Sequence, residues 1–225
     1  MQTIALIAQK GGTGKTTLAL SLAVAAEAAG KTTLVIDLDP QASICKWNDR
    51  RSDDVPSVID AQPARLASAL QRACEASVDL VIVDTPARVE QAAAEAARAA
   101  DLVIVPCKPS IHDVETLQAT VDLIEGRAEC PPVVVLNAVP AQGARSEQAA
   151  EAIRAMGIAV CPVTIGQRVA FEYAAQLGLS AAEYEPGGKA ASEIRHVYKS
   201  ICRALDTATA KKEKQEGEVY DEATA

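Results

Sequence analysis

Two lysines five residues apart bracket a glycine-rich run near the start of the chain, Lys10-Gly11-Gly12-Thr13-Gly14-Lys15-Thr16-Thr17. Glycine accepts backbone angles that a side chain would forbid, so successive N–H groups in such a run can converge on one anion. Gly14-Lys15-Thr16 is the closing part of a phosphate-binding loop, G-x-x-x-x-G-K-[ST]. In such a loop the lysine reaches the β- and γ-phosphates of a nucleotide and the hydroxyl binds Mg2+. The sequence therefore assigns Lys15 to phosphate and Thr16 to the metal, with Gly11, Gly12 and Gly14, and Thr13 among them, forming the cradle. One detail departs from the pattern. Gln9 stands where the first glycine belongs, and Lys10 is an additional cation beside it.

Carboxylates follow two apolar runs. Val35-Ile36-Asp37-Leu38-Asp39-Pro40-Gln41 places Asp37 and Asp39 after one, and Leu80-Val81-Ile82-Val83-Asp84 places Asp84 after another. In open α/β sheets, ligands collect at the carboxyl ends of the strands. Carboxylates there can hold Mg2+ through its waters and position an attacking water. A lone aspartate after a strand is commonly a turn former or helix cap. Three of them beside a phosphate loop read as one site.

The elements that must position these residues alternate. The expected strands are Thr3–Ala8, Thr33–Asp37, Asp79–Asp84, Leu102–Pro106, Pro132–Asn137 and Ile158–Pro162. Most are continuous apolar runs, the pattern of a parallel sheet covered on both faces. The expected helices are Thr16–Ala29, Pro63–Ala76, Arg88–Ala100, His112–Glu125, Ala144–Met156, Gln167–Leu177 and Gly188–Leu205. Strand-then-helix repetition with right-handed crossovers gives an α/β fold, a doubly wound, mostly parallel sheet flanked by helices. Gly30 and Gly157 suit left-handed helix caps. Residues 48–62 read as a polar loop, residues 1–206 as one domain, and residues 207–225 as a disordered polar tail.

Composition narrows the function classes. The chain has 225 residues, of which 49% are hydrophobic, enough to bury a sizeable core. A net charge of −8 excludes a wholly basic nucleic-acid binder but leaves room for a local basic patch. No signal segment is seen and no apolar run approaches the roughly 18 residues of a membrane span, so the expected location is cytoplasmic. Six cysteines are scattered without a C-x-x-C and read as reduced thiols.

Taken together, "KGGTGKTT", "DLDPQ", "VDTP" and "PCKPSIHD" resemble the deviant Walker A ATPases of the ParA/MinD group, over about residues 2 to 205. The resemblance implies an Mg2+-dependent ATPase with slow, partner-stimulated turnover, acting as a homodimer with ATP sandwiched at the interface. Lys10 matches the signature lysine of that group and would contact the partner subunit's phosphates. Asp39 would position the attacking water, Asp37 would be an Mg2+-shell or switch residue, Asp84 would hold Mg2+ through water, and Thr17 would lie near the α-phosphate. The spacing D-P-Q-x-S-x-x-x-W, ending at Trp47, resembles the short ParA/ParF-type plasmid partition proteins. The stretch 167–194 is similar to the ParA C-terminal region but lacks an isoleucine–proline before Arg168.

For that group the implied track is non-specific DNA, with nucleoid association in the ATP state and a centromere-binding ParB-like partner. Arg195, Lys199 and Arg203 recur at every fourth position on the last helix, with Lys189 and Arg168 near in sequence, and could meet phosphates. A solvated helix face is the plain alternative. A MinD-like membrane regulator needs a C-terminal amphipathic helix, and no Leu, Ile, Phe or Trp follows Leu205. An iron–sulfur ATPase needs shared cysteine ligands, and Cys107 and Cys130 lack the surroundings for them. ParA-like positioning of a protein cargo or microcompartment would use the same site chemistry.

Overall fold

A computed structural model describes residues 1–128 and 131–224, and beyond Ala210 only the backbone. Seven strands form one sheet: β1 Gln2–Leu6, β2 Thr33–Asp37, β3 Ser57–Asp60, β4 Leu80–Asp84, β5 Leu102–Cys107, β6 Val133–Leu136 and β7 Ala159–Val160. Every strand pairing is parallel, in the order β3-β2-β4-β1-β5-β6-β7. The chain winds outward from β1 in both directions, so the crossovers diverge beside β1, and the crevice for a ligand opens there. Register places Leu6, Asp84 and Asp37 side by side at the carboxyl edge.

The sheet divides two cores. Ala5, Ile7, Ile36, Val83 and Val105 face one layer, which contains α3 (Leu66–Glu75), α4 (Glu90–Ala99), α6 (Leu117–Ile124) and α7 (Arg145–Ala155). Ile4, Leu6, Val35, Ile82 and Ile104 face the other, packed by α1 (Lys15–Ala28), α2 (Ser43–Asn48) and α10 (Lys189–Thr224). Burying one such aliphatic side chain contributes about 1.5–3 kcal/mol. Both sides of β1, β4 and β5 are therefore apolar because both are covered. Gly30 and Gly157 do adopt the left-handed conformation after their helices.

Several expectations need correction. The segment 48–62 is not all loop, since β3 lies within it as a short, partly exposed edge strand paired only with β2. Helices α2 and α9 (Ala181–Tyr184) were not anticipated. The expected helix 112–125 divides at Thr116 into α5 (Ile111–Glu115) and α6. The last helix does not stop near residue 205. Its backbone is helical to Thr224. No described helix is long and apolar enough to cross a membrane. Cys45, Cys74, Cys107, Cys161 and Cys202 are free thiols, while Cys130 lies outside the described residues.

Candidate functional site

The loop after β1 turns over the sheet's carboxyl edge and enters α1, with Gly14 as the N-cap in a left-handed conformation, φ 95°. A Cβ at Gly14 would collide with Nδ2 of Asn137, whose amide donates to the Thr13 carbonyl at 2.7 Å. Glycine is the residue that fits both the angle and the space. Past it, the first turn of α1 presents unpaired N–H groups and the positive end of the helix dipole, a ready anion site. Gly11 and Gly12 are exposed along the loop and Thr17 is exposed on the first turn, while the Thr13 hydroxyl is buried without a hydrogen-bond partner.

Lys15 is drawn into this cradle. Its Nζ donates to the Ala8 carbonyl at 3.1 Å, and the residue is 8% exposed. Burial lowers its pKa, opposed by the carboxylates of Asp84 and Asp39. Thr16 Oγ1 donates to Asp84 Oδ2 at 2.6 Å. The other Asp84 oxygen is buried without a partner. Burial pushes the Asp84 carboxyl up to about 7, the Thr16 hydrogen bond opposes the shift, and the charge of Asp37 adds to it. An orphaned carboxylate oxygen beside a threonine hydroxyl is an incomplete oxygen donor set, which suits a hard cation such as Mg2+. The residues present fit the ion.

Asp37 and Asp39 are divided in role. Asp37 is buried and accepts from the N–H groups of Asp39 at 2.9 Å and Ile44 at 3.0 Å, which shapes the turn into α2. Burial raises its pKa above the usual carboxylate range. Asp39 stands on the rim, half-buried, with Oδ1 accepting from the Gln41 N–H at 2.9 Å. Lys10 does not enter its own cradle. Its Nζ is 2.9 Å from Asp113 Oδ2, with side-chain exposures of 38% for the lysine and 7% for the aspartate. Ser110 caps α5 and hydrogen-bonds the same Asp113 oxygen.

Asp113 and Asn137 were not assigned by the sequence. Asn137 follows an apolar run as Asp84 does, so the same strand-end rule would have flagged it. Asp113 lies 103 residues from Lys10 and carries no local signal of its partner. The basic residues on α10 are placed unequally. Arg195, Lys199 and Arg203 are exposed on one face, opposite Ile194, Val197, Ile201 and Leu205, and Lys189 is exposed at the helix start. Arg168 differs, because both its Nε and a terminal nitrogen bind the Glu193 carboxylate, and Glu193 also accepts from the Gly166 N–H. Cys107 is buried, and burial with the Asp113 charge pushes its thiol up to about 12. A cavity of about 480 Å3 between α5 and α7, lined by Ile111, Val114, Arg145 and Ala149, contains none of the assigned residues.

Residues 4–180 match the CobQ/CobB/MinD/ParA nucleotide binding domain. The chain belongs to that family, one of phosphate-loop ATPases. It is 32% identical over 210 residues to the "Maintenance of carboxysome distribution protein A" of Gloeobacter kilaueensis, covering 90% of this chain and 93% of that one. It is 28% identical over 204 residues to the chromosome partitioning protein ParA of Caulobacter vibrioides, covering 69% of this chain and 76% of that one. Its fold is similar to that of the septum site-determining protein MinD of Pyrococcus horikoshii, solved with Mg-ADP, at a TM-score of 0.72 and 19% identity over 92% of this chain and 98% of that one.

Proposed function

We propose that this chain is an ATP-driven positioning switch. With ATP and Mg2+ it forms a homodimer that sandwiches the nucleotide, binds DNA non-specifically, and resets by hydrolysing ATP to ADP and phosphate. The observation that carries the reading is the cradle, where Lys15, Thr16 and the orphaned Asp84 oxygen meet on the N-terminus of α1. Lys15 exchanges the Ala8 carbonyl for phosphate oxygens. Thr16, Asp84 and the Asp37 shell would hold Mg2+, which when bound neutralises charge on the phosphates. Asp39 on the rim orients the water that adds to the γ-phosphorus as the bond to the bridging oxygen breaks. Lys10 leaves Asp113 and crosses to the partner's phosphates, so dimerisation follows ATP. The Arg195, Lys199 and Arg203 stripe, doubled by the dimer, supplies the cations for DNA, with Lys189 beside it and Arg168 once freed from Glu193.

The full-length likeness to a carboxysome-distribution protein favours a protein cargo or microcompartment. Likeness to chromosome-partition ATPases favours the second reading, plasmid or chromosome partition with a ParB-like centromere-binding partner. Both use the same cycle in the cytoplasm, with nucleoid association in the ATP state and slow turnover that a partner accelerates. The test is binding to non-specific duplex DNA with ATP, ADP or no nucleotide across a salt series. Binding with ATP alone, weakening steeply as salt rises, is expected. No binding in any state while ATP still dimerises the protein removes DNA as the track.

A further inference from the structure

The turn that carries Asp39 is strained and held from a distance. Ala42, the N-cap of α2, adopts a left-handed conformation, φ 50°. An L-residue there costs free energy, and such a conformation persists where the surrounding structure fixes it. The turn's own bonds are local. The Asp39 carbonyl accepts from the Ala42 N–H at 2.8 Å, and Lys46 Nζ donates to the Gln41 carbonyl at 2.8 Å. Together with the bonds to Asp37, the hydrogen bonds of residues 39–46 stay within residues 37–49 among the described residues. A helix as short as α2, Ser43–Asn48, does not hold itself in place. Its side chains must find the anchor.

The anchor lies at the far end of α2. Trp47 is 1% exposed and donates its indole N–H to the Leu179 carbonyl. Arg50 donates to the Ala175 carbonyl at 3.1 Å. The Arg51 side chain, 3% exposed, donates to the Gly178 carbonyl at 2.9 Å and to the two oxygens of Glu183 at 2.7 and 3.1 Å. These acceptors belong to one segment, from the end of α8 (Val169–Gln176) into α9. Gly178 brings the backbones together, because at φ 69° a Cβ there would collide with the main chain of Arg50 and Arg51. The segment stands on α10, with Ala170 and Ala181 packed against Ala190 and with Arg168 bonded to Glu193. A buried guanidinium separated from its partners is costly, so α2 stays where Arg51 is satisfied. We propose that, with Asp39 orienting water in the cycle proposed for this chain, Trp47 and Arg51 are its positioning residues, clamping α2 to the α8–α9 segment so that the Asp39 turn is set before a nucleotide arrives.

The test compares the unaltered full chain with two variants. Arg51→Met with Glu183→Gln removes the ion pair and leaves neither charge alone. Ile153→Ala removes a buried side chain from α7 on the opposite face of the sheet and controls for lost stability. Without nucleotide, hydrogen exchange at the Asp39 and Ile44 amides, measured relative to β1, is expected to speed about tenfold or more in the Arg51 variant and not in Ile153→Ala. With ATP and Mg2+, kcat in the Arg51 variant is expected to fall about tenfold or more while KM for ATP stays within about twofold, because a displaced water-orienting carboxylate affects the transition state alone. Should that variant fail to fold, Gly178→Ala, which lifts α8 from α2 with Trp47 and Arg51 intact, takes its place. If the unaltered chain turns over no ATP, the hydrolytic cycle fails and the exchange result decides the clamp by itself. Unchanged exchange at Asp39 and Ile44, an equal rise in Ile153→Ala, or an unchanged kcat in a chain that hydrolyses ATP overturns the proposal.

Discussion

Lys15 and Lys10 share one loop and are treated in opposite ways. Lys15 is 8% exposed and folded onto the carbonyl of Ala8, inside the cradle it serves. Lys10 is 38% exposed and held by a single carboxylate outside the cradle. Burial makes the first a fixed part of the site, because a desolvated ammonium gains most from an anion brought to it. The second reaches solvent, but the carboxylate that holds it is buried, so only an anion as strong as a phosphate offsets its leaving Asp113. In the proposed cycle one loop would thus supply a built-in ligand and a detachable one.

The largest effect should come from the built-in side. Lys15→Ala is expected to weaken ATP binding by about three orders of magnitude, as loss of a buried charge-assisted contact implies. Titration with a fluorescent ATP analogue checks this, and unchanged affinity would break the assignment. The buried carboxylates predict a pH effect of the next size. The native Asp84 carboxyl, raised from 3.8 to about 7, keeps a proton that the unfolded chain has released. The empty protein should therefore lose stability as pH rises from about 4 to about 7, by as much as about 4 kcal/mol. Urea unfolding at several pH values should show this slope, reduced in Asp84→Asn to the part contributed by Asp37.

The detachable side should respond differently. Lys10→Ala is expected to keep ATP affinity within about threefold while raising the concentration needed for the ATP dimer about tenfold or more. Sedimentation with a non-hydrolysed ATP analogue measures it, and a normal dimer would remove the trans role. The smallest effect belongs to Asp113→Asn, which removes the charge that restrains Lys10 and should lower the dimerisation concentration a few-fold, since a pair whose lysine is reached by solvent contributes about 1 kcal/mol. A weaker dimer in that variant would mean that Asp113 helps to place Lys10 instead of restraining it.

Legibility in the sequence followed the range of the interactions. β1, β2, β4 and β5 were readable because strands covered on both faces are apolar throughout. β3 was hidden because Ser57-Val-Ile-Asp60 is short, follows Pro56 and pairs on one side only. The Lys15, Thr16 and Asp84 cluster was readable because a loop motif and a strand end each announce themselves within a few residues. Asp113, Asn137 and the Trp47 hydrogen bond to the Leu179 carbonyl were not, because their partners lie 103 to 132 residues away. Helix α8 was readable as a helix, but the burial of Ala170 depends on Ala181 and Ala190, which its own residues do not announce.

The chain contains one tryptophan, Trp47, buried on α2 a few residues past the Asp39 turn. Its indole N–H donates to the Leu179 carbonyl at 3.1 Å, and the Arg51 guanidinium lies 4.6 Å from the ring centroid. Any event that slides α2 against the segment joining α8 and α9 changes the polarity around that indole and its contact with the cation. The protein thus carries its own optical probe, and stopped-flow emission can follow the turn after β2 in real time without a dye.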